Sequence, residues 1–276
     1  MHQLNPFSGA YNFEALTEAH PKLKKHLITS KKGEESIDFS DPQSVLDLNK
    51  ALLLEKFNWK EWNLPKGFLC PPIPGRTDYL CHLTELVGTE KAHILDIGTG
   101  ANAIYPIIGN SLFKWTFVGT DVDPAALKAA RQNTDVSKGI QIRKQPQRKL
   151  IFDGIVYRKD KFDATMCNPP FFESADSASQ ANRQKNFQLH GIQKGKNFRG
   201  QSHELWTAGG EKRFIGYMIK ESTKYKEQIK WFTTLVSNKK NIPLLTKWIE
   251  NEQAAEVKVL EMQQGNKISR ILAWRF

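Results

Sequence analysis

The chain has 276 residues, of which 39% are hydrophobic and 25% are charged, and these values are ordinary for a globular protein with a full core. No apolar run approaches the roughly 20 residues of a membrane span, and the start, Met1 to Pro6, lacks a basic-then-apolar signal peptide. The three cysteines, Cys70, Cys81 and Cys167, have no Cys-x-x-Cys spacing and leave one unpaired in any disulfide scheme. The composition therefore predicts a cytoplasmic protein with no membrane association and no metal site.

The net charge of +11 is unevenly placed along the chain. Residues 1–137 carry 14 Lys/Arg and 16 Asp/Glu, a net of −2, whereas residues 138–276 carry 26 and 13, a net of +13. A basic surface on one half implies a polyanionic partner, and nucleic acid is the first candidate. Since many basic proteins bind no polyanion, charge alone leaves the partner open.

Residues 1–75 are predicted to form a small, mainly helical module that ends in a proline-rich connector. An amphipathic stretch runs from residue 11 to about residue 28. Asp41 and Pro42 are typical of a helix N-cap followed by proline at the first helical position. Residues 64–75 contain four prolines and two glycines, which predict an extended, ordered connector rather than a helix.

Residues 76–276 show alternating strand and helix patterns. Strands are predicted near 92–97, 115–120, 140–143, 162–167, 230–236, 254–262 and 268–275. Helices are predicted near 76–87, 102–109, 124–135, 209–227 and 242–252. This alternation implies right-handed crossovers and a mainly parallel sheet, and the last two strands, which adjoin without a helix, predict an antiparallel final hairpin. The fold class is therefore α/β, with a Rossmann-like sheet of seven strands.

A glycine-rich loop follows the first of these strands. Residues 98–103 read Gly-Thr-Gly-Ala-Asn-Ala, a G-x-G-x-x-A pattern at a strand-to-helix turn. The second strand leads to Asp121, which lies 21 residues after Gly100, where an acidic side chain can bind both hydroxyls of a ribose. The pattern predicts a nucleoside cofactor, either NAD or S-adenosylmethionine. Asp96, just before Gly98, would repel a pyrophosphate but suits the ammonium of a methionine moiety, which favours S-adenosylmethionine.

The fourth strand ends in a second motif, Asn168-Pro169-Pro170-Phe171-Phe172. The prolines have no N–H to donate, so the ladder stops and the chain turns outward. The Asn168 amide oxygen and the Pro169 carbonyl could accept hydrogen bonds from an exocyclic amino group, while Phe171 stacks on its ring. The alternative is a rigid turn with a capping asparagine and two core phenylalanines. At the carboxyl edge of the sheet, the motif favours methyl transfer over NAD chemistry.

With these motifs, the chain resembles the class I S-adenosylmethionine-dependent methyltransferases and, more closely, the bacterial 23S ribosomal RNA adenine-N6 methyltransferase family called RlmF. The resemblance covers nearly the full length, and its matching segments are residues 34–39, 69–76, 95–100, 167–172 and 209–211. A eukaryotic family that methylates adenine in spliceosomal small nuclear RNA is similar but more distant. The resemblance implies 23S ribosomal RNA, or a large-subunit assembly particle, as the partner.

The resemblance also implies roles for individual residues. Gly98 and Gly100 would lie against S-adenosylmethionine, and Asp121 would bind its ribose. Arg76 would lie near the methionine carboxylate and Asp96 beside the methionine end. The expected acceptor pocket, whose asparagine would also face the cofactor, consists of Asn168, Pro169, Pro170 and Phe171.

Residues 174–208 form a polar, glycine-containing insert with a basic excess. Its five cations are Arg183, Lys185, Lys194, Lys196 and Arg199. The insert is either a solvated loop or a clamp that orders on RNA phosphates. A second basic group between Arg143 and Lys161 would extend the same track.

Three other functions fit parts of the sequence. The first is a protein glutamine N5-methyltransferase that acts on release factors through a similar Asn-Pro-Pro-Tyr pocket. The second is a DNA adenine methyltransferase, although no separate target-recognition domain is visible. The third is a catalytically silent RNA-binding module. The basic second half, and Phe171 in place of tyrosine, favour the RNA adenine-N6 methyltransferase.

Overall fold

The architecture is that of a computed structural model, which describes residues 1–30, 33–170, 209–264 and 267–276. In chain order, its helices and strands are α1 Phe13–Ala19, β1 Leu27–Thr29, β2 Glu35–Ile37, α2 Pro42–Phe57, α3 Ile73–Val87, β3 His93–Ile97, α4 Ile104–Phe113, β4 Thr116–Asp121, α5 Pro124–Thr134, β5 Ile140–Lys144, β6 Phe162–Cys167, α6 Gly210–Ser222, β7 Ile229–Val236, α7 Ile242–Asn251, β8 Glu256–Gln264 and β9 Lys267–Arg275. The seven predicted strands are all present, and β1 and β2 are an addition that the sequence did not reveal.

The seven long strands form one mixed sheet in the order β5-β4-β3-β6-β7-β9-β8. Neighbours from β5 to β7 are parallel, whereas β9 runs antiparallel to both β7 and β8. The predicted α/β class, with its antiparallel final hairpin, is confirmed. Because β3 is followed by β4 on one side and paired with β6 on the other, the strand order reverses between β3 and β6. Such a switch point is where open α/β sheets bind ligands.

The register of β3 against β6 brings the two predicted motifs together. Ile97 pairs with Cys167, the last residues of the two strands. Gly98 and Asn168 therefore leave the sheet side by side at its carboxyl edge. Motifs that lie 70 residues apart in the sequence are neighbours in the fold because these two central strands are parallel.

The N-terminal segment packs on one face of the sheet as part of its core. Ile94 of β3 belongs to the same hydrophobic cluster as Phe7, Leu52 and Trp62, while Leu95 belongs to the cluster on the opposite face. Alternate residues of a strand point to opposite faces, so both faces of the central strand are covered. The division of the chain at residue 75 stays a prediction.

Helix α2 begins where the sequence predicted. The Asp41 side chain accepts hydrogen bonds from the backbone N–H groups of Gln43 and Ser44, and Pro42 occupies the first turn. With 16 residues, α2 is the longest helix among the described residues, and none of these helices is both long and apolar enough to cross a bilayer.

Several predicted helix boundaries were wrong, including the ends of α4, at Phe113, and α6, at Ser222, and three of them have a local cause. The first helix stops at Ala19, because Pro21 disfavours a helical conformation of the residue before it and opens a 3-10 turn. Helix α3 begins at Ile73, inside the predicted connector, since Pro74 sits in the first turn where a helix needs no N–H. Helix α4 begins only at Ile104, because Ala103 is left-handed with φ +46°.

Candidate active site

A cavity lies at the carboxyl ends of β3, β4 and β6, where the two motifs meet. The predicted site residues that line it are Arg76, Gly98, Gly100, Asp121, Asn168 and Pro170. Pro169 is buried beside them, and Asp96 is fully buried at the end of β3. Phe171, which we expected to stack on the target ring, lies outside the described residues.

Backbone geometry explains the two glycines of the loop. Gly98 and Gly100 have φ values of +73° and +65°, a region that side chains rarely adopt. Between them, the Thr99 N–H donates to the Thr120 carbonyl over 2.8 Å, which fastens the loop to β4. The loop therefore turns tightly out of β3 and presents bare backbone to the cavity.

Asp121 is oriented by this loop. One carboxylate oxygen accepts from the Gly100 N–H at 3.0 Å and the other from the Asp123 N–H at 2.9 Å. Asp123 in turn caps α5, because its side chain accepts from the Ala126 N–H at 2.7 Å. The acid that we expected to bind a ribose is thus held in one orientation at the cavity wall before any ligand binds.

Asp96 is a carboxylate buried at the floor of the glycine loop, next to the end of β3. It is 0% exposed, and neither carboxylate oxygen has a hydrogen-bond partner in the part of the chain that the structure describes. Burial raises its pKa to about 7, although the nearby Thr99 hydroxyl, which makes no hydrogen bond of normal geometry, and the charge of Arg76 oppose that rise. A buried carboxylate of this kind is costly unless a cation with N–H groups reaches it.

Arg76 reaches the cavity from α3 and is held by a tyrosine. Its Nη1 donates to the Tyr105 hydroxyl at 2.7 Å, and its guanidinium carbon lies 5.4 Å from the centre of the Tyr105 ring. Burial raises the pKa of Tyr105 to about 12, so its hydroxyl stays protonated at neutral pH. This places a fixed positive charge on the same side of the cavity as Asp96.

Asn168 supplies an acceptor at the end of β6. Its Oδ1 atom is buried and has no hydrogen-bond partner among the described residues. A buried amide oxygen normally has a partner, and leaving it without one is unfavourable. The Asn168 oxygen can therefore accept a hydrogen bond from an N–H group that enters the cavity.

The proline-rich connector forms one wall of the cavity through Leu69 and Pro71. The Asn49 side chain holds this wall by donating to the Pro71 carbonyl at 2.8 Å. The Trp62 indole N–H donates to the Asn102 carbonyl of the glycine loop at 2.9 Å. The N-terminal segment thus shapes the site as well as covering the sheet.

The structure adds cavity residues that sequence reasoning missed. They are Thr99, Tyr105, Gln145, Arg148, Ile151 and Phe214, together with several residues that adjoin the predicted ones in the sequence. Gln145 directly follows β5, so the rule that ligands bind at the carboxyl ends of strands could have indicated it. Phe214 lies on α6, just after the insert, and no local signal marks it.

The basic group between Arg143 and Lys161 is only partly available for RNA. Arg143 of β5 forms an ion pair with Asp160, and its guanidinium carbon lies 4.3 Å from the Tyr157 ring centre, so it fastens the loop after β5 to that strand. Arg148, in contrast, is exposed and lines the cavity. The insert 174–208, with its five cations, lies outside the described residues.

One cluster in the described part of the chain has the composition of a metal site, away from the cavity lining. Ligand atoms of His2, His82 and Glu85 lie within 4.8 Å of one another. These groups already bond to each other and to the backbone. His82 Nδ1 is 2.8 Å from Glu85, and the Leu4 N–H donates to His2 Nδ1. We interpret the cluster as a polar contact that fastens the N-terminal segment to α3.

Comparison with known proteins identifies the family. The model of the RNA methyltransferase family Methyltransf_10 matches residues 1–276. The ribosomal RNA large subunit methyltransferase F of Psychrobacter sp. (strain PRwf-1) is 44% identical over 303 residues, which cover 100% of this chain and 93% of that protein.

Solved structures show the same fold. The hMettl16 catalytic domain in complex with the MAT2A 3'UTR hairpin 1 aligns with a TM-score of 0.87 at 30% identity, over 100% of this chain and 95% of that one. The N-terminal domain of human METTL16 in complex with SAH aligns with a TM-score of 0.80 at 27% identity, over 100% and 98%. The chain therefore belongs to the RNA methyltransferase family that includes the ribosomal RNA large subunit methyltransferase F proteins, which confirms the resemblance carried by its motifs.

Proposed function

We propose that this protein transfers the methyl group of S-adenosylmethionine to the exocyclic N6 of one adenine in 23S ribosomal RNA. It is an S-adenosylmethionine-dependent RNA methyltransferase with a class I fold. The single observation that carries the choice of an amino group as acceptor is the buried Asn168 oxygen, which has no partner among the described residues at the edge of the cavity. An incoming N–H group would satisfy it.

The residues of the glycine-loop side fit S-adenosylmethionine, which supplies an electrophilic methyl group on a sulfonium. The Asp96 carboxylate, which is buried and has no hydrogen-bond partner among the residues that the structure describes, suits the ammonium of the methionine end. Arg76 carries the positive charge that a methionine carboxylate needs. Asp121 presents a carboxylate that the loop holds in place, suited to the ribose hydroxyls. The bare backbone at Gly98 and Gly100 allows the ligand to lie against the turn.

At the acceptor, the task of the protein is to orient a weak nucleophile. The lone pair of adenine N6 is delocalised into the ring, so the amino group must turn towards the methyl carbon. The Asn168 oxygen and the Pro169 carbonyl accept its two N–H groups and stabilise the positive charge that develops on nitrogen. The nitrogen–methyl bond forms as the methyl–sulfur bond breaks, and the sulfur keeps that electron pair. The cationic nitrogen then loses a proton to water, so no general base is required.

The partner that we propose is 23S ribosomal RNA, either free or in a large-subunit assembly particle, in the cytoplasm. The net charge of +13 on residues 138–276 suits a polyanion. The exposed Arg148 at the cavity supports this proposal, because its positive charge suits a phosphate of an RNA whose base enters the cavity. A relative with this fold has been captured with an RNA hairpin.

The test uses purified protein, methyl-labelled S-adenosylmethionine and a total extract of a strain that lacks the enzyme. RNA and protein are separated, and the RNA is digested to nucleosides. We expect label in N6-methyladenosine from large-subunit RNA. Label in a protein the size of a release factor would show that the cavity accepts a glutamine amide, and would refute the proposal. Label in another RNA would correct the substrate.

A further inference from the structure

We propose that two buried tyrosines position the two reactants through helix α3: Tyr105 of α4 holds Arg76 of α3 on the cofactor side, and Tyr79 of α3 holds the strand end that carries Asn168 on the acceptor side. The inference rests on the proposed function and extends it to two residues that act by holding Arg76 and the end of β6. Tyr79 is 0% exposed and Tyr105 is 5% exposed. Burial holds the pKa of both hydroxyls above the ordinary value for tyrosine.

On the cofactor side, Tyr105 holds the long, flexible side chain of Arg76 in one position. The Tyr105 hydroxyl accepts from Arg76 Nη1 at 2.7 Å, while the guanidinium carbon stays 5.4 Å from the ring centre. A mobile arginine side chain loses rotational freedom when it binds a ligand, and this loss of entropy weakens binding. Because Tyr105 fixes the guanidinium in advance, a cofactor carboxylate meets a charge already in place.

On the acceptor side, the hydroxyl protons of two side chains, Thr233 and Tyr79, form a consistent chain of hydrogen bonds. Thr233 Oγ1 donates to the Thr165 carbonyl of β6 at 2.6 Å, so its oxygen is left to accept. Tyr79 donates to that oxygen at 2.8 Å, and its own oxygen accepts the Cys167 N–H at 3.4 Å. Cys167 directly precedes Asn168, so Tyr79 holds the last backbone N–H before the acceptor residue.

The hydrogen bond of Arg76 on the cofactor side and that of Tyr79 on the acceptor side are linked in two ways: both residues lie on one turn of α3, and the two tyrosine rings are in contact. Arg76 and Tyr79 are three residues apart on α3, a spacing that places side chains on the same helix face. The rings of Tyr79 and Tyr105 meet edge to face, with centres 5.5 Å apart and planes at 85°. A displacement of α3 would therefore move both the cofactor charge and the acceptor strand. The arrangement keeps the distance between the two reacting groups fixed.

Removing each hydroxyl separately tests the two roles. Tyr105→Phe should weaken the binding of S-adenosylhomocysteine, measured by calorimetry without RNA, by about tenfold, with kcat at saturating S-adenosylmethionine within roughly threefold of wild type. Tyr79→Phe should leave that affinity unchanged within about twofold and lower kcat about tenfold. Tyr217→Phe is the matched control, because the exposed Tyr217 of α6 accepts from Arg213 at 2.9 Å and does not belong to the cavity lining.

The split between affinity and kcat distinguishes positioning from a purely structural role, and the unfolding midpoint of each variant is measured alongside. Unchanged affinity in Tyr105→Phe, or the same loss in Tyr217→Phe, overturns the cofactor half. Unchanged kcat in Tyr79→Phe, or a kcat loss that matches a loss of folded protein, overturns the acceptor half. If wild-type protein transferred no label to RNA, the proposed function would fail, while the calorimetric comparison would still decide the role of Tyr105.

Discussion

The two sides of the crevice between β3 and β6 differ in how their polar groups are satisfied. On the glycine-loop side, both oxygens of Asp121 accept backbone N–H groups, and the loop is fastened to β4. On the strand-end side, the Asn168 oxygen is buried without a partner among the described residues. The Asp121 carboxylate is satisfied by the fold itself, whereas the Asn168 oxygen is left to accept a hydrogen bond from the group that enters.

Asp96 belongs to the loop side by sequence but resembles Asn168 in its bonding. Both of its oxygens are buried without partners in the described part of the chain, whereas Asp121, on the next strand, is held by two donors. Folding tolerates a few unsatisfied buried groups, and these usually have a functional explanation. The unsatisfied oxygens support the two groups that we propose as ligands: a cation beside Asp96 and an amino group beside Asn168.

The largest expected effect comes from removing the unsatisfied acceptor. Asn168→Ala should lower kcat about 100- to 1,000-fold, the range seen when one preorganised transition-state contact is lost. The affinity for S-adenosylhomocysteine should change little, because the cofactor contacts that we propose for Arg76, Asp96 and Asp121 lie on the other wall. Turnover of a 23S ribosomal RNA substrate and calorimetry without RNA measure the two quantities separately.

A matched control for this substitution is Asn251→Ala, which changes an exposed asparagine at the end of α7, outside the cavity lining. Because the Asn168 oxygen lacks a partner in the described structure, its removal should not lower the unfolding midpoint of the ligand-free protein. Full turnover in Asn168→Ala would remove the residue from the mechanism. A large loss of stability would show that the oxygen has a structural partner.

The second expected effect is a pH dependence of the free energy of unfolding, and it comes from the buried Asp96 carboxylate. Its folded pKa of about 7 lies above the value of about 3.9 for an unfolded aspartate. Between these values the folded protein holds a proton that the unfolded chain has lost. The free energy of unfolding of the ligand-free protein therefore falls as pH rises from about 4 to about 7, and the cost stays in full above pH 7.

A cationic ligand offsets the unfavourable free energy of the ionised, buried Asp96 carboxylate. An ammonium beside Asp96 favours the ionised form, so binding of S-adenosylhomocysteine near pH 6.5 should release a proton, seen by calorimetry in buffers of different ionisation enthalpy. Asp96→Asn should abolish that release and weaken binding roughly 10- to 100-fold. The control Asp123→Asn keeps a good N-cap on α5 and should bind as wild type does. Proton release that persists in Asp96→Asn would assign the titration to another group.

Backbone rules made the core of the site predictable. Gly98 and Gly100 stand where only residues with positive φ fit, and Asp121 ends the neighbouring strand. The Asn168 position followed from prolines that stop a ladder. Because the carboxyl ends of parallel strands share one edge, assigning the strands was enough to bring these residues together.

Residues whose position depends on tertiary packing could not be predicted in this way. Tyr105 is one apolar-face residue of α4 until the fold brings Arg76 against its hydroxyl. The hairpin of β1 and β2, with three residues in each strand, is too short to show a period. Arg143 looked like part of a basic track, but its partner Asp160 lies 17 residues on in the loop that follows β5.

The smallest expected effect is on a part of the loop-side wall that is already satisfied. The Glu221 carboxylate of α6 accepts three consecutive backbone N–H groups, from Ile151 and Phe152 at 2.9 Å and from Asp153 at 2.6 Å. Glu221→Gln exchanges one acceptor oxygen for an amide that cannot accept, so the unfolding free energy should fall by about 1–3 kcal/mol. The control Glu227→Gln changes an exposed side chain nearby and should not move the midpoint.

Ile151 lines the cavity, so loosening its loop should weaken S-adenosylhomocysteine binding by only a few-fold and leave kcat at saturating cofactor unchanged. This pattern is the inverse of the one for Asn168→Ala, which should cost turnover but not stability. In this interpretation, the hydrogen-bonded Glu221 carboxylate stabilises the fold, whereas the Asn168 oxygen binds the amino group of the substrate. If Glu221→Gln lowered kcat as strongly as Asn168→Ala, the two walls would not divide the work in this way, and the contrast in hydrogen bonding would have no functional meaning.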